Sequence, residues 1–74
     1  MKPNIGDVYE VTYGNRRNLV IVTNVMLVGY RTGHGKVPPQ MEITYQVLRG
    51  NGVGNTDKNI INRRDQWRWR KVTD

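Results

Sequence analysis

The residues with the greatest capacity for chemistry lie in the last quarter of the sequence, between Ile60 and Val72. This stretch contains both tryptophans and five of the twelve basic residues, with one acid among them. Guanidinium groups pair with phosphates and stack on aromatic faces, and an indole ring offers a large flat apolar surface. Interleaved arginine and tryptophan therefore indicate a surface that binds a polyanion, and a nucleic acid with exposed bases fits both groups.

The predicted contact residues form two groups and a set of loop positions. The C-terminal group comprises Arg63, Arg64, Trp67, Arg68, Trp69, Arg70 and Lys71. The second group, Arg16 and Arg17, follows Gly14 and Asn15, so we expect it at the tip of a hairpin. The loop positions open to further contacts are Tyr30, Arg31 and Lys36.

The role of the tryptophans stays open at this level. In an extended strand side chains alternate between faces. The two sets would be Trp67, Trp69 and Lys71 on one face, and Arg68, Arg70 and Val72 on the other. A short chain without phenylalanine needs its tryptophans for a core, and arginines are commonly the solvated face of a strand. Two roles are therefore open for each indole: packing in the core, or stacking on a partner at the surface.

Enzymatic chemistry has few residues to support it. The sequence has no serine and no cysteine, which removes the usual nucleophiles and any thiolate metal site. The single histidine, His34, lies between two glycines, and the six carboxylates form no evident acid–base pair. We therefore predict a protein that is not an enzyme and that uses no cofactor and no metal.

Charge and composition limit the class of partner and the compartment. The 74 residues carry a net charge of +6, with residues 1–56 and 57–74 contributing +3 each. This balance favours nucleic acid or an acidic protein surface. No apolar run reaches the ~18 residues that span a bilayer, and no amphipathic basic helix is evident, so a membrane is not predicted. The absence of cysteine makes a reducing, cytoplasmic setting the default.

The pattern of apolar residues predicts a chain of short strands. Alanine is absent, whereas Val, Ile, Thr, Tyr and Trp are plentiful, which is a β-protein composition. The predicted strands cover 8–13, 19–28, 41–48, 58–61 and 67–72, with a short helical turn over 62–66. The second strand is apolar along most of its length, so we expect burial on both faces and a bulge near Asn24. Glycine and proline predict a long loop over 29–40 and a second loop over 50–54.

Five short strands with turns at regular spacing predict an all-β fold, a single small SH3-like antiparallel barrel that occupies residues 1–74 as one domain. An OB-like barrel ranks second, because it usually needs a longer chain and a helix between strands.

Two resemblances agree with this fold. Residues 6–14, Gly-Asp-Val-Tyr-Glu-Val-Thr-Tyr-Gly, and the strand that follows resemble the opening hairpin of KOW-type SH3-like modules. Such modules occur in ribosomal proteins and transcription elongation factors, so the resemblance implies a hairpin that contacts RNA or a polymerase. The whole chain also resembles short basic accessory proteins of bacteriophages and prophages, which implies the cytoplasm of a bacterial host.

Three functional hypotheses follow. The first is nucleic-acid binding through the C-terminal Arg/Trp-rich surface. The second is a phage- or prophage-encoded protein that binds and modulates a host enzyme or complex, because basic patches also dock on acidic proteins. The third is an oligomeric accessory protein, for example a homodimer, since a small core gains stability by pairing.

Overall fold

The described part of the chain forms seven β-strands, five of which contain apolar residues of the predicted strands. The computed structural model describes residues 2–28, 31–32, 35–36, 40–61 and 68–72, with backbone only at 31–32 and 35–36. The strands are β1 (Val8–Tyr13), β2 (Arg16–Val28), β3 (Arg31–Thr32), β4 (Gly35–Lys36), β5 (Gln40–Arg49), β6 (Thr56–Ile61) and β7 (Trp69–Lys71). The all-β prediction is confirmed.

Five of these strands form one antiparallel sheet in the order β6-β5-β2-β1-β7, and β3 pairs with β4 in a separate hairpin. The chain meanders through the sheet and returns at the end to place β7 beside β1. Within the described ranges β6 and β7 are the outer strands, so the sheet is an open, barrel-like form of the predicted antiparallel fold.

The core shows that this sheet is strongly bent. Trp69 on β7 packs edge-on against Tyr45 on β5, with ring centroids 5.3 Å apart. Two strands separate β5 from β7, so in a flat sheet the two residues would lie about 14 Å apart. The inward side chains of all five strands therefore face one another. The buried residues are Tyr9, Val11, Val20, Val22, Ile43, Tyr45, Val47, Ile61 and Trp69.

The long strand β2 confirms one prediction and corrects another. Its pairing with β5 shifts register between Val22 and Asn24, so the predicted bulge is present. The prediction of burial on both faces is wrong beyond the bulge, where Met26 and Leu27 are exposed. The reason is that β1 pairs with β2 only up to Ile21, so the end of β2 is paired with β5 alone.

Two segments differ from the sequence prediction in their pairing. Arg31–Thr32 and Gly35–Lys36 pair as a short hairpin inside the region predicted to be an unpaired loop. Arg16 and Arg17 are also paired, opposite Tyr13 and Thr12, because the turn between β1 and β2 needs only two residues. The helical turn predicted for 62–66 lies outside the described residues.

Candidate nucleic-acid interface

The sheet brings together two arginines that lie far apart in the sequence. Strand β1 lies between β2 and β7, so it has Arg17 on one side and Arg70 on the other. Oε1 of Glu10 lies 3.3 Å from Nη2 of Arg70 and 4.0 Å from Nη1 of Arg17. We call these three side chains the Glu10 cluster.

The geometry of the Glu10 cluster follows from strand register. Glu10 is directly opposite Arg70, and Arg17 lies on the diagonal from it on β2, so all three point to the same face. The arginine side chains are 72% and 71% exposed. Exposed ion pairs contribute only ~0–1 kcal/mol, so the guanidinium groups remain available to a stronger anionic ligand. One carboxylate balances two cations here, which leaves a positive excess.

The other described C-terminal cations lie elsewhere. Nζ of Lys71 is 3.7 Å from Oδ2 of Asp7, an atom that also accepts a hydrogen bond from the Asn4 backbone N–H. Arg68 borders a small hollow beside Tyr13. The structure therefore joins Arg70 to the hairpin arginine and does not bring Lys71 to it.

Trp69 is a core residue. Its side chain is 8% exposed and packs edge-to-face on Tyr9 as well as Tyr45. Its register partner is Val11, which is fully buried, so the backbone itself directs the indole inward. Of the two roles left open for this ring, the structure therefore supports the core role, because protein covers almost all of the residue.

The remaining predicted contacts lie outside the described residues. These are Tyr30, Arg63, Arg64 and Trp67, together with the side chains of Arg31 and Lys36.

A polar cleft of about 600 Å³ lies beside the β1–β2 hairpin and was not predicted as a site. Its walls come from the hairpin, the turn over 50–55 and strands β5 and β6. The lining residues are Tyr13, Arg16, Asn18, Tyr45, Val47, Asn51, Gly52, Asn55, Thr56, Asp57 and Asn59. Among them, only Arg16 had been predicted to contact a partner.

Two tyrosine hydroxyls meet at the edge of this cleft, with Tyr13 Oη and Tyr45 Oη 3.4 Å apart. Burial raises the pKa of the Tyr45 hydroxyl, and its hydrogen bond to Tyr13 and the negative charge of Asp57 raise it further. Tyr45 therefore stays neutral at physiological pH and presents a hydroxyl group rather than a charge.

A buried asparagine fixes one wall of the cleft. Asn18 Nδ2 donates to the backbone carbonyl of Asn51 at 3.3 Å, and Asn18 Oδ1 accepts from the Asn51 N–H at 3.1 Å. The sequence carries a signal for this contact, because Asn18 occupies an inward position of β2 in phase with Val20 and Val22. A polar residue at such a position needs hydrogen-bond partners.

Side chains of the kinds that ligate metal ions are dispersed over the described residues. Among them there is no group of three or more His, Asp or Glu residues placed to hold a metal ion. Among the described residues that line the cleft, Asp57 is the single carboxylate. No helix in the described part of the chain is long and apolar enough to cross a membrane.

The sequence matches no protein-family model, no curated protein and no solved structure.

Proposed function

We propose that this protein is a small nucleic-acid-binding module, acting in the bacterial cytoplasm that its resemblance to phage proteins implies. The observation that carries the proposal is the Glu10 cluster, in which two exposed guanidinium groups from opposite ends of the chain share one carboxylate. A guanidinium fork matches the geometry of a phosphate, so neighbouring phosphates of a backbone would occupy Arg17 and Arg70.

Phosphate binding at this surface has a measurable signature. Arg16 lies beside Arg17 on β2 but on the opposite face, and Arg68 lies two residues before Arg70, so a backbone that passes around the β1–β2 hairpin would meet about four cations. Each neutralised phosphate releases a counterion, and log affinity should fall against log salt with a slope of about −3 to −4. Titration of labelled single- and double-stranded oligonucleotides at several salt concentrations measures this slope. Absence of binding at low salt would refute the proposal.

Arg70→Gln is expected to reduce that slope by about 0.7–0.9 and to weaken binding to all sequences alike, because it removes one phosphate contact. Lys58→Gln is the matched control, since it removes one exposed positive charge from β6 at the opposite edge of the sheet. Fluorescence anisotropy over a salt series compares the two variants. Equal changes of slope would show that only net charge matters.

Glu10→Gln is expected to tighten binding about five-fold at low salt. The Glu10 carboxylate attracts both arginines with an interaction free energy of ~1 kcal/mol, and its removal leaves the two guanidinium groups to phosphate. Glu42→Gln on β5 makes the same change of charge away from β1 and β7, and we expect a smaller gain from it. The same anisotropy titration measures both. Weaker binding by Glu10→Gln would mean that the Glu10 cluster is structural and does not contact the ligand.

A second candidate function is association with a protein, either a host protein or another copy of this chain. The supporting observation is the end of β2, where Leu27 is 69% exposed next to an exposed Met26. Sedimentation at high micromolar concentration tests self-association. A pull-down from nuclease-treated bacterial lysate tests a host partner, and a stoichiometric protein that survives the nuclease would favour this function.

A further inference from the structure

We propose that the polar cleft beside the β1–β2 hairpin receives one unpaired base of the bound strand, and that Asp57 selects guanine there. This inference rests on the proposed nucleic-acid binding and adds a base-reading site to the phosphate contacts of the Glu10 cluster.

The size and lining of the cleft suit a base. Its volume of about 600 Å³ lies within the range of sites for small molecules. Most such sites are mainly apolar, whereas the described walls of this one combine Val47 and the tyrosine rings with amides, hydroxyls, one carboxylate and one guanidinium. A nucleobase is a flat ring with hydrogen-bond donors and acceptors around its rim, so it can use both the ring surface and the polar walls.

The carboxylate of Asp57 sets the preference among bases. Its Oδ1 accepts a hydrogen bond from the backbone N–H of Lys58 at 2.8 Å, and Asp57 lines the cleft, so the carboxylate can accept further hydrogen bonds from a ligand there. An ionised carboxylate can only accept hydrogen bonds. Guanine presents two adjacent N–H donors on its Watson–Crick edge, whereas thymine presents one N–H between two carbonyl oxygens that a carboxylate repels.

Aromatic and basic groups flank the same position. The ring of Tyr13 is partly exposed at the cleft and can stack on a base, while Tyr45 is buried and offers its hydroxyl. Arg16 lines the cleft, and Arg68 lines the hollow next to it, which shares Tyr13 and Asn59 with the cleft. Phosphates on either side of the inserted base therefore have a cation to contact.

The cleft is preformed on one side. The two hydrogen bonds of Asn18 hold the turn over 50–54 in place, so binding does not have to order this wall. The base must be unpaired, because the Watson–Crick edge that Asp57 reads is occupied in a duplex.

The test compares oligothymidines of about ten nucleotides, a length within the usual site size, with and without one central guanosine. Anisotropy at low salt should show about ten-fold tighter binding to the strand with guanosine. Inosine at the same position lacks one N–H donor and should lose most of the gain. In Asp57→Asn the preference should disappear, while the salt slope stays that of the wild type.

The outcomes separate this inference from the proposed function. If neither strand binds, both are refuted. If both bind with the expected salt slope but equally well, or if Asp57→Asn keeps the preference, base reading is refuted and phosphate binding stands. Glu42→Gln is the control for loss of a negative charge and should keep the preference for guanosine. The comparison of guanosine with inosine uses the wild-type protein, so it tests base reading even if Asp57→Asn fails to fold.

Discussion

Gly50→Ala is expected to destabilise the protein by about 3 kcal/mol or more, because it combines a strained backbone with a steric clash. Gly50 has φ of +111°, a conformation that L side chains rarely adopt. A Cβ atom at this position would overlap Asn18 Oδ1 and would lie 3.0 Å from the Arg17 carbonyl oxygen. Asn18 cannot move away without breaking its two hydrogen bonds to Asn51.

The stability lost in Gly50→Ala should be a large fraction of the total free energy of unfolding. A domain of 74 residues is expected to have a free energy of unfolding of about 4–11 kcal/mol. Urea denaturation, monitored by far-UV circular dichroism, measures the difference in free energy of unfolding between Gly50→Ala and the wild type. Loss of the Asn18 contact would also disorder one wall of the cleft, so base preference should fall before phosphate binding does.

Gly54→Ala is the matched control. Gly54 has φ of +87° but no atom within 4 Å of an added Cβ. It should therefore carry only the backbone cost of about 1–2 kcal/mol. The difference between the two variants isolates the clash with Asn18. Equal losses of stability at the two positions would contradict the proposed role of the Asn18 contact.

Trp69→Ala is expected to lower the free energy of unfolding by about 3–5 kcal/mol, the usual cost of removing a large buried aromatic side chain. Trp69 packs on Tyr9 at 5.7 Å and on Tyr45 at 5.3 Å between centroids, and so joins β7 to both β1 and β5. Its loss would open a cavity where the ends of the sheet meet. Because a domain of this size has a small free energy of unfolding, most Trp69→Ala molecules would be unfolded at moderate temperature.

Thermal and urea unfolding of three variants tests the role of Trp69. Trp69→Phe keeps an aromatic ring and should retain part of the stability. Val72→Ala removes an exposed apolar side chain just after β7 and should change stability by less than about 0.5 kcal/mol. A Trp69→Ala protein as stable as the wild type, but unable to bind oligonucleotides, would restore the stacking role that burial argues against.

Local sequence patterns were sufficient to predict the all-β class and the positions of most strands along the chain. The apolar pattern located β1 at its observed limits and β5 to within one residue at each end, and the apolar length of β2 predicted the bulge near Asn24. These features follow from local rules, since side-chain period and turn residues act over a few positions. The positive charge and the shortage of nucleophiles are also properties of composition, and they favoured binding over catalysis.

Local patterns did not reveal which residues lie together in a site, because that depends on how distant strands pair. The return of β7 beside β1 places Arg70 next to Glu10 and, across the strand, near Arg17, although more than fifty positions separate the two arginines. The same bend packs Trp69 against Tyr45 and forms a cleft that four asparagines line. Such proximity depends on long-range pairing and sheet curvature, which no local pattern of residues encodes.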